Sequence, residues 1–373
     1  MTDIVISGSG LYTPPYSISN EELVQTFNQY VDLYNAQHSD EIAAGRLTSL
    51  EYSSSDFIVK ASGIKSRFVV DKEGILDPQL MRPNIPERAD EELCLLSEIG
   101  VAAAKQALES ASREAQEIDL VIVACSNLQR AYPAIAIEIQ HHLDCSGYGY
   151  DMNVACSSAT FGIGAAADAI RSGTARCALV INPEVTSAHL NFRDRDSHFI
   201  FGDVATAVVV EAETGCRSDR AFHVLGTKFK TEFSNNIRNN FGFLNNCHPE
   251  TRDNSDKLFR QNGRKVFKEL LPLVGRVIHE HLQEMQLEAA DLKRLWLHQA
   301  NLTMNLFAAK KLLGRDPDTQ ELPIILDRYA NTSSAGSVIA FHLYSDDLVS
   351  GDKGVLSSFG AGYSVGSVIL EKR

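Results

Sequence analysis

Two stretches of this chain can be laid on two later stretches in the same order, and this duplication restricts the fold more than any other feature. DMNVACSSA (151–159) lies against DRYANTSSA (327–335) without a gap, sharing Asp, Ser, Ser and Ala. Upstream, EIDLVIVACSN (117–127) lies against DLKRLWLHQAN (291–301). The offsets of 176 and 174 residues are nearly equal, so one unit of about half the chain occurs twice. At 373 residues the chain is also long for a single core. Two similar halves are therefore expected, at 1–215 and 216–373. Short β-branched runs such as LVIVAC (120–125), CALVIN (177–182), TAVVVE (206–211) and GVLSSF (354–359) predict strands. Helical stretches such as LSEIGVAAAKQALESA lie between them, which predicts an α/β fold with a mostly parallel sheet.

The duplication has a chemical consequence. Equivalent strand ends of two packed halves converge on the seam between them. The gapless pairing sets Cys156 opposite Thr332, Asn331 opposite Ala155, and His298 opposite Ala124. Reactive side chains then occupy loop positions whose counterparts are inert, as a site at the seam requires.

Composition narrows the functions. A net charge of −13 argues against nucleic-acid binding, which needs a basic field. The seven cysteines, at 94, 125, 145, 156, 177, 216 and 247, show no CxxC pair and suit a reducing compartment. His279 and His281 are spaced i, i+2, which on a helix points them to different sides, so no metal site is expected. MTDIVISGSG carries no basic leader and no apolar run reaches 18 residues, which predicts a soluble, cytoplasmic protein.

Cys156 follows YGYDMNVA and precedes a helix of small residues, SSATFGIGAAADAI. A free cysteine in apolar company is commonly an inert core thiol. At a helix N-terminus, however, the dipole and free N–H groups lower a thiol's pKa and favour a nucleophile. Gly162 and Gly164 inside that helix imply that another backbone passes close. His298 closes a strand and Asn331 precedes the last long helix, where it could equally be an N-cap. Together the three would supply a thiolate, a tunable acid or donor, and a neutral amide. The glycine-rich SSFGAGYSVGS (357–367) can bring backbone N–H groups near a substrate carbonyl.

From GSGLYTPPYSISNEEL through NVACSSATFG, RDRDSHFIFGDVATAVVVE, NGRKVFKEL, LHQAN and DRYANTSSAGS to FGAGYSVGS, the chain resembles the β-ketoacyl-acyl-carrier-protein synthase III family. The resemblance places it in the thiolase superfamily. It implies two βαβαβαββ-like halves in a five-layered α-β-α-β-α core, and an acyltransferase working by decarboxylative Claisen condensation without a cofactor. Cys156 would take the acyl group of an acyl-CoA. His298 and Asn331 would hold the malonyl-carrier thioester, and the N–H groups of Cys156 and Ala361 would form the other oxyanion hole. Ala361 stands where the family usually has glycine. The turn lacks the second cysteine of biosynthetic thiolases, and Asn331 replaces the second histidine of the elongating synthases.

The same resemblance implies a homodimer and an acyl-carrier-protein partner. An acidic carrier needs a basic rim, for which Arg264, Lys265, Lys268, Lys310 and Lys311 are candidates. The family's docking arginine is Thr303 here. Arg195 and Phe57 would sandwich the CoA adenine, and Tyr132 would gate the acyl pocket across the dimer. An insertion near 29–54 points to a medium-chain primer such as octanoyl-CoA. The alternatives are an acetyl-CoA-primed synthase, a secondary-metabolite condensing enzyme, and a thioester hydrolase using the same trio.

Overall fold

The computed structural model describes residues 2–373. The first half contributes strands β1 (Ile4–Tyr12), β2 (Leu120–Ala124), β3 (Tyr148–Met152), β4 (Cys177–Glu184) and β5 (Val204–Ala212). The second contributes β6 (Phe222–Thr231), β7 (Leu292–Leu297), β8 (Lys353–Gly360) and β9 (Ser364–Lys372). Their order is β7-β8-β9-β6-β1-β5-β4-β2-β3. Read outward from the centre, β1-β5-β4-β2 and β6-β9-β8-β7 are the same pattern, and only β3 lacks a counterpart. The halves join where β1 pairs with β6 over Val5↔His223 and Ile6↔Phe222.

The sheet is mixed, not mostly parallel. β2 pairs in parallel with β3 and β4, and β7 with β8. β4–β5, β1–β5, β8–β9 and β6–β9 are antiparallel. The expectation failed because each half ends on a strand reached without a crossover helix: β8 turns directly into β9, with Gly360 opposite Ser364.

Among the described residues, eight helices of eight residues or more complete the layers: α1 (Asn20–Gln37), α2 (Ser55–Ser62), α3 (Leu95–Ala111), α4 (Ile135–Leu143), α5 (Ser158–Arg171), α6 (Gly263–Glu284), α7 (Leu302–Leu313) and α8 (Gly336–Leu343). Strand alternation assigns them. Leu120, Ile122 and Ala124 face a core shared with α5, α8 and the second half-sheet, through Trp296, Leu356 and Val368. Val121 and Val123 face the opposite way, onto α3 and α4. Leu295, Leu297 and Val355 face α6 and α7. The result is a five-layered α-β-α-β-α core, in which each buried Val or Leu contributes roughly 1.5–3 kcal/mol.

Glycine permits one close approach in the outer layer. A Cβ at Gly8 or Gly10 would fall 2.3 or 2.1 Å from the Ala107 or Ala103 carbonyl oxygen of α3. At Gly162 and Gly164 the close neighbours are side chains, not the backbone expected from sequence: Val180 and Ala124 meet the first, and the Phe229 ring of β6 meets the second. No helix of the described residues is long and apolar enough to cross a membrane.

Candidate active site

Cys156 lies in a single 3-10 turn, Ala155–Ser157, wedged between β3 and α5. Ala155 holds a left-handed φ of 48°, braced by its N–H donating to Asn153 Oδ1 at 2.8 Å. Asn331 does the same one half later: Ser333 has φ 51°, and its N–H donates to Asn331 Oδ1 at 2.9 Å. A matching 3-10 turn, Ser333–Ala335, follows and leads into α8.

This backbone match corrects the duplication by two residues. Ala155–Ser157 matches Ser333–Ala335 in turn type, left-handed first residue and asparagine brace, so Cys156 corresponds to Ser334 and Asn331 to Asn153, not to Thr332 and Ala155. Identity of the short SSA string had pulled the pairing out of register, whereas turn geometry follows the asparagine two residues before each left-handed residue. The upstream pairing keeps its offset: matching capping boxes at Glu114/Glu117 and Glu288/Asp291 precede β2 and β7, and set His298 opposite Ala124. Asn331 is not the N-cap of α8, which starts at Gly336.

The three candidates converge. Cys156, His298 and Asn331 line one cleft of about 620 Å³, together with Phe201, Phe259, Leu270, Met304 and Gly360. Asn331 is anchored by its N–H to the Ile200 carbonyl (2.9 Å) and by its own carbonyl to the Gly202 N–H (3.1 Å). Its Nδ2 donates to no protein group among the described residues and stays free at the cleft wall. His298 is buried, packs edge-on against Phe359 at 5.3 Å, and its Nδ1 has no partner among the described residues. Burial lowers the imidazole to about 4, against a backbone group of Ser333, so it is neutral at physiological pH.

Gly360, at the end of β8, lets the two halves meet here: a Cβ on it would sit 2.7 Å from Cys156 Cβ and 2.9 Å from Sγ. Ser157 and Ser364 tie the Cys156 turn to the glycine turn, with their hydroxyls 2.9 Å apart. The backbone N–H groups of Ala361 and Cys156 both favour the thiolate, as does Ser333, whose hydroxyl reaches Sγ at 3.5 Å.

Burial nonetheless outweighs these donors and pushes the thiol up to about 11. That reverses the lowering expected from a helix terminus, because the 3-10 turn seats Cys156 on an apolar floor ahead of α5. Part of the residue still opens to the cleft, so a reagent can reach it. Alkylation of Cys156 by iodoacetamide, followed by mass spectrometry, is expected to quicken about tenfold per pH unit between 7 and 9. A free-cysteine peptide levels off above about 8.5. A plateau of the Cys156 rate below pH 8 would show that the helix terminus prevails.

The other candidates divide. Arg195 lies directly over the Phe57 ring, at 4.3 Å, and its Nε donates to the Tyr52 carbonyl. The pair is together, but no planar ring fits between them in this arrangement. Arg264 and Thr303 line the cleft. Lys265 and Lys268 stand beside Arg264 on the first turns of α6. Lys310 and Lys311 lie in the last turn of α7, about 12 Å along the axis from Thr303, and Lys310 pairs with Asp316 at 2.9 Å. Tyr132 is 81% exposed and does not line the cleft of its own chain. Residues 29–37 form the second part of α1, and the chain up to 54 then folds back along it. Asn28 and Asn35 bond the backbone at Ser53 and Leu50, and Tyr52 meets Arg195.

Sequence reasoning placed Gly360 in the glycine-rich turn but missed Ser333 and the buried Glu184. Its one available signal for Glu184 was an acid placed shortly after the apolar run CALVI.

Comparison with known proteins follows from this geometry. Residues 150–232 match the model for 3-oxoacyl-[acyl-carrier-protein] synthase III, and 282–372 match that for its C-terminal region. The chain is 61% identical over 349 residues to a β-ketodecanoyl-[acyl-carrier-protein] synthase of Pseudomonas aeruginosa, covering 94% of this chain and all of the relative. It belongs to the 3-oxoacyl-[acyl-carrier-protein] synthase III family.

A β-ketoacyl-[acyl-carrier-protein] synthase III of Brucella anthropi is 33% identical over 312 residues, covering 80% of this chain and 93% of that one. The crystal structure of the Aquifex aeolicus synthase III aligns with a TM-score of 0.76 at 25% identity, over 99% of both chains. The priming β-ketosynthase of the R1128 polyketide pathway aligns at 0.77 and 24% identity, covering 99% of this chain and 96% of that one, and shows the shared fold. As a synthase III family member the chain is a condensing acyltransferase of fatty acid synthesis with the thiolase fold.

Proposed function

We propose that the chain condenses a medium-chain acyl-CoA, such as octanoyl-CoA, with malonyl-acyl-carrier protein to give a 3-oxoacyl-carrier protein, CoA and CO₂. The observation that carries this reading is the convergence of Cys156, His298 and Asn331 on one apolar cleft floor. The Cys156 sulfur attacks the acyl-CoA carbonyl, the bond from that carbonyl to the CoA sulfur breaks, and the Cys156 proton passes to the departing sulfur, so that CoA leaves as a thiol. The N–H groups of Cys156 and Ala361, from turns tied together by Ser157 and Ser364, stabilise the tetrahedral oxyanion. In the second step malonyl thioester loses CO₂, and the neutral His298 imidazole and the free Asn331 amide hold the enolate oxygen. The enolate carbon then attacks the Cys156 thioester and releases the sulfur. No metal or cofactor takes part.

The medium-chain choice rests on the Pseudomonas relative's name and on the aromatic and aliphatic lining of the cleft. The remaining assignments are of the same kind. Residues 1–215 and 216–373 act as the two halves. Arg264, with Lys265 and Lys268, meets the acidic carrier, while Lys310 and Lys311 contribute a more distant charge. Arg195 swings off Phe57 to admit adenine. Tyr132 gates the acyl pocket of a second copy in a cytoplasmic homodimer.

Intact-mass measurement across C2 to C12 acyl-CoAs is expected to show octanoyl loading on Cys156 at least about tenfold faster than acetyl, a difference of roughly 1.4 kcal/mol in transition-state binding. Faster acetyl loading would overturn the chain-length assignment. Release of free acid with no condensation would overturn the synthase reading in favour of a hydrolase.

A further inference from the structure

The duplication leaves an altered second copy of the site floor inside the molecule. In the backbone equivalence, Ser334 stands for Cys156, Ala124 for His298 and Asn153 for Asn331. The β2–β4 and β7–β8 ladders extend it. Leu120 pairs with Ala178 and Arg294 with Gly354, so the last residue of β4, Glu184, stands for the last residue of β8, Gly360. At Gly360 bare backbone makes room for the nucleophile. At Glu184 a carboxylate takes up that room and bonds the nucleophile's counterpart.

Glu184 is 1% exposed and fully satisfied. Its Oε1 accepts from the Ser126 N–H (3.0 Å), the Ser334 N–H (3.2 Å) and the Ser334 hydroxyl. Its Oε2 accepts from the Ser126 hydroxyl at 2.6 Å. Four donors and no acceptor converge on it, a set suited to an acceptor-only carboxylate. The donors come from two loops. Ser126 follows β2, and its carbonyl receives Asn153 Nδ2 at 2.8 Å. Ser334 follows Ser333, which touches Cys156, in the loop that begins with Asn331.

We propose that Glu184 is a positioning residue for the condensation half-reaction: it clamps the Asn331–Ala335 loop onto the turn after β2 and so sets the Asn331 amide relative to Cys156. This inference rests on the reading of Cys156, His298 and Asn331 as the reacting set. Glu184 touches no reacting atom and acts on Asn331 through Ser334, while its charge helps hold the Cys156 thiol up and so does not aid loading. Its loss therefore reaches the step that uses Asn331 more than the step that acylates Cys156.

The test measures two rates on wild type, Glu184→Ala, Glu184→Gln and Ser334→Ala: acyl loading of Cys156 by mass, and CO₂ release from malonyl-carrier protein. Glu184→Ala is expected to slow CO₂ release at least about tenfold and loading less than about threefold. Glu184→Gln is expected to stay within about threefold of wild type in both, because Oε1 keeps three donors and Nε2 donates to Ser126 Oγ. Ser334→Ala, which keeps its N–H bond, is expected to slow CO₂ release by about threefold to fivefold with loading unchanged.

Equal losses in both rates, or unchanged CO₂ release in Glu184→Ala, would overturn the proposal. Should Glu184→Ala fail to fold, Ser334→Ala decides: unchanged or equal rates there overturn it. Wild type that loads no acyl group and releases no CO₂ would overturn the functional reading itself, so the two failures are distinguishable.

Discussion

A Cys156→Ala enzyme is expected to take up no acyl group by intact mass and to lose condensation by at least about a thousandfold. Among the described residues no other cysteine lines the cleft. Cys125 and Cys177 are buried in the outer core on the far face of the first half-sheet, and burial holds both thiols well above their ordinary range. Apart from the Ser333 hydroxyl contact to Sγ, the change removes no support from the rest of the site. His298 is held from β7 by its N–H to the Ser357 carbonyl, and Asn331 by Ile200 and Gly202. The variant is therefore expected to keep releasing CO₂ from malonyl-carrier protein, within about tenfold of wild type. Acyl uptake by the alanine enzyme would move the nucleophile elsewhere. A parallel loss of decarboxylation would mean that the thiol also organises the enolate site.

The reciprocal loss is expected at the other two residues. His298→Ala and Asn331→Ala should each lower malonyl decarboxylation by about a hundredfold to a thousandfold while Cys156 still loads acyl groups. A neutral imidazole and a free amide on one cleft floor offer two donors to one developing oxyanion. The double variant should be little worse than either single one, because one donor alone cannot organise the enolate. Asn331→Ala carries a further cost: without the Oδ1 acceptor, the left-handed Ser333 loses its brace, and with it the hydroxyl contact to Sγ. A modest fall in acyl loading is therefore expected for Asn331→Ala but not for His298→Ala. Steady-state and single-turnover rates on the three proteins check this. Additive losses, or full decarboxylation in either single variant, would remove the residue concerned from the enolate site.

Much of this architecture is legible in the chain, for local reasons. β2, β4, β5 and β8 are dense β-branched runs, and period-two alternation decides which side chains face which helix layer. β6 escaped because FHVLGTKFKT interleaves glycine, lysine and threonine with its apolar residues, and it is half-covered rather than buried. That strand links the two half-sheets and lays Phe229 on α5. Cys156, His298 and Asn331 were readable because the duplication brackets them, and the order of family motifs then gave each a chemistry.

The sequence by itself determined that one unit occurs twice, that its strand ends face each other, and that Cys156, His298 and Asn331 fall at those ends. Periodicity and repeat spacing are properties of the chain alone, and they suffice for that. Only the tertiary structure decided the register of the second copy, which pairs Asn331 with Asn153 and exposes Glu184 as the counterpart of Gly360. It also decided the state of the thiol. Both depend on groups distant in sequence: asparagine carboxamides that brace left-handed residues, a carboxylate shared by two loops, and an apolar floor whose desolvation outweighs the donors around Cys156.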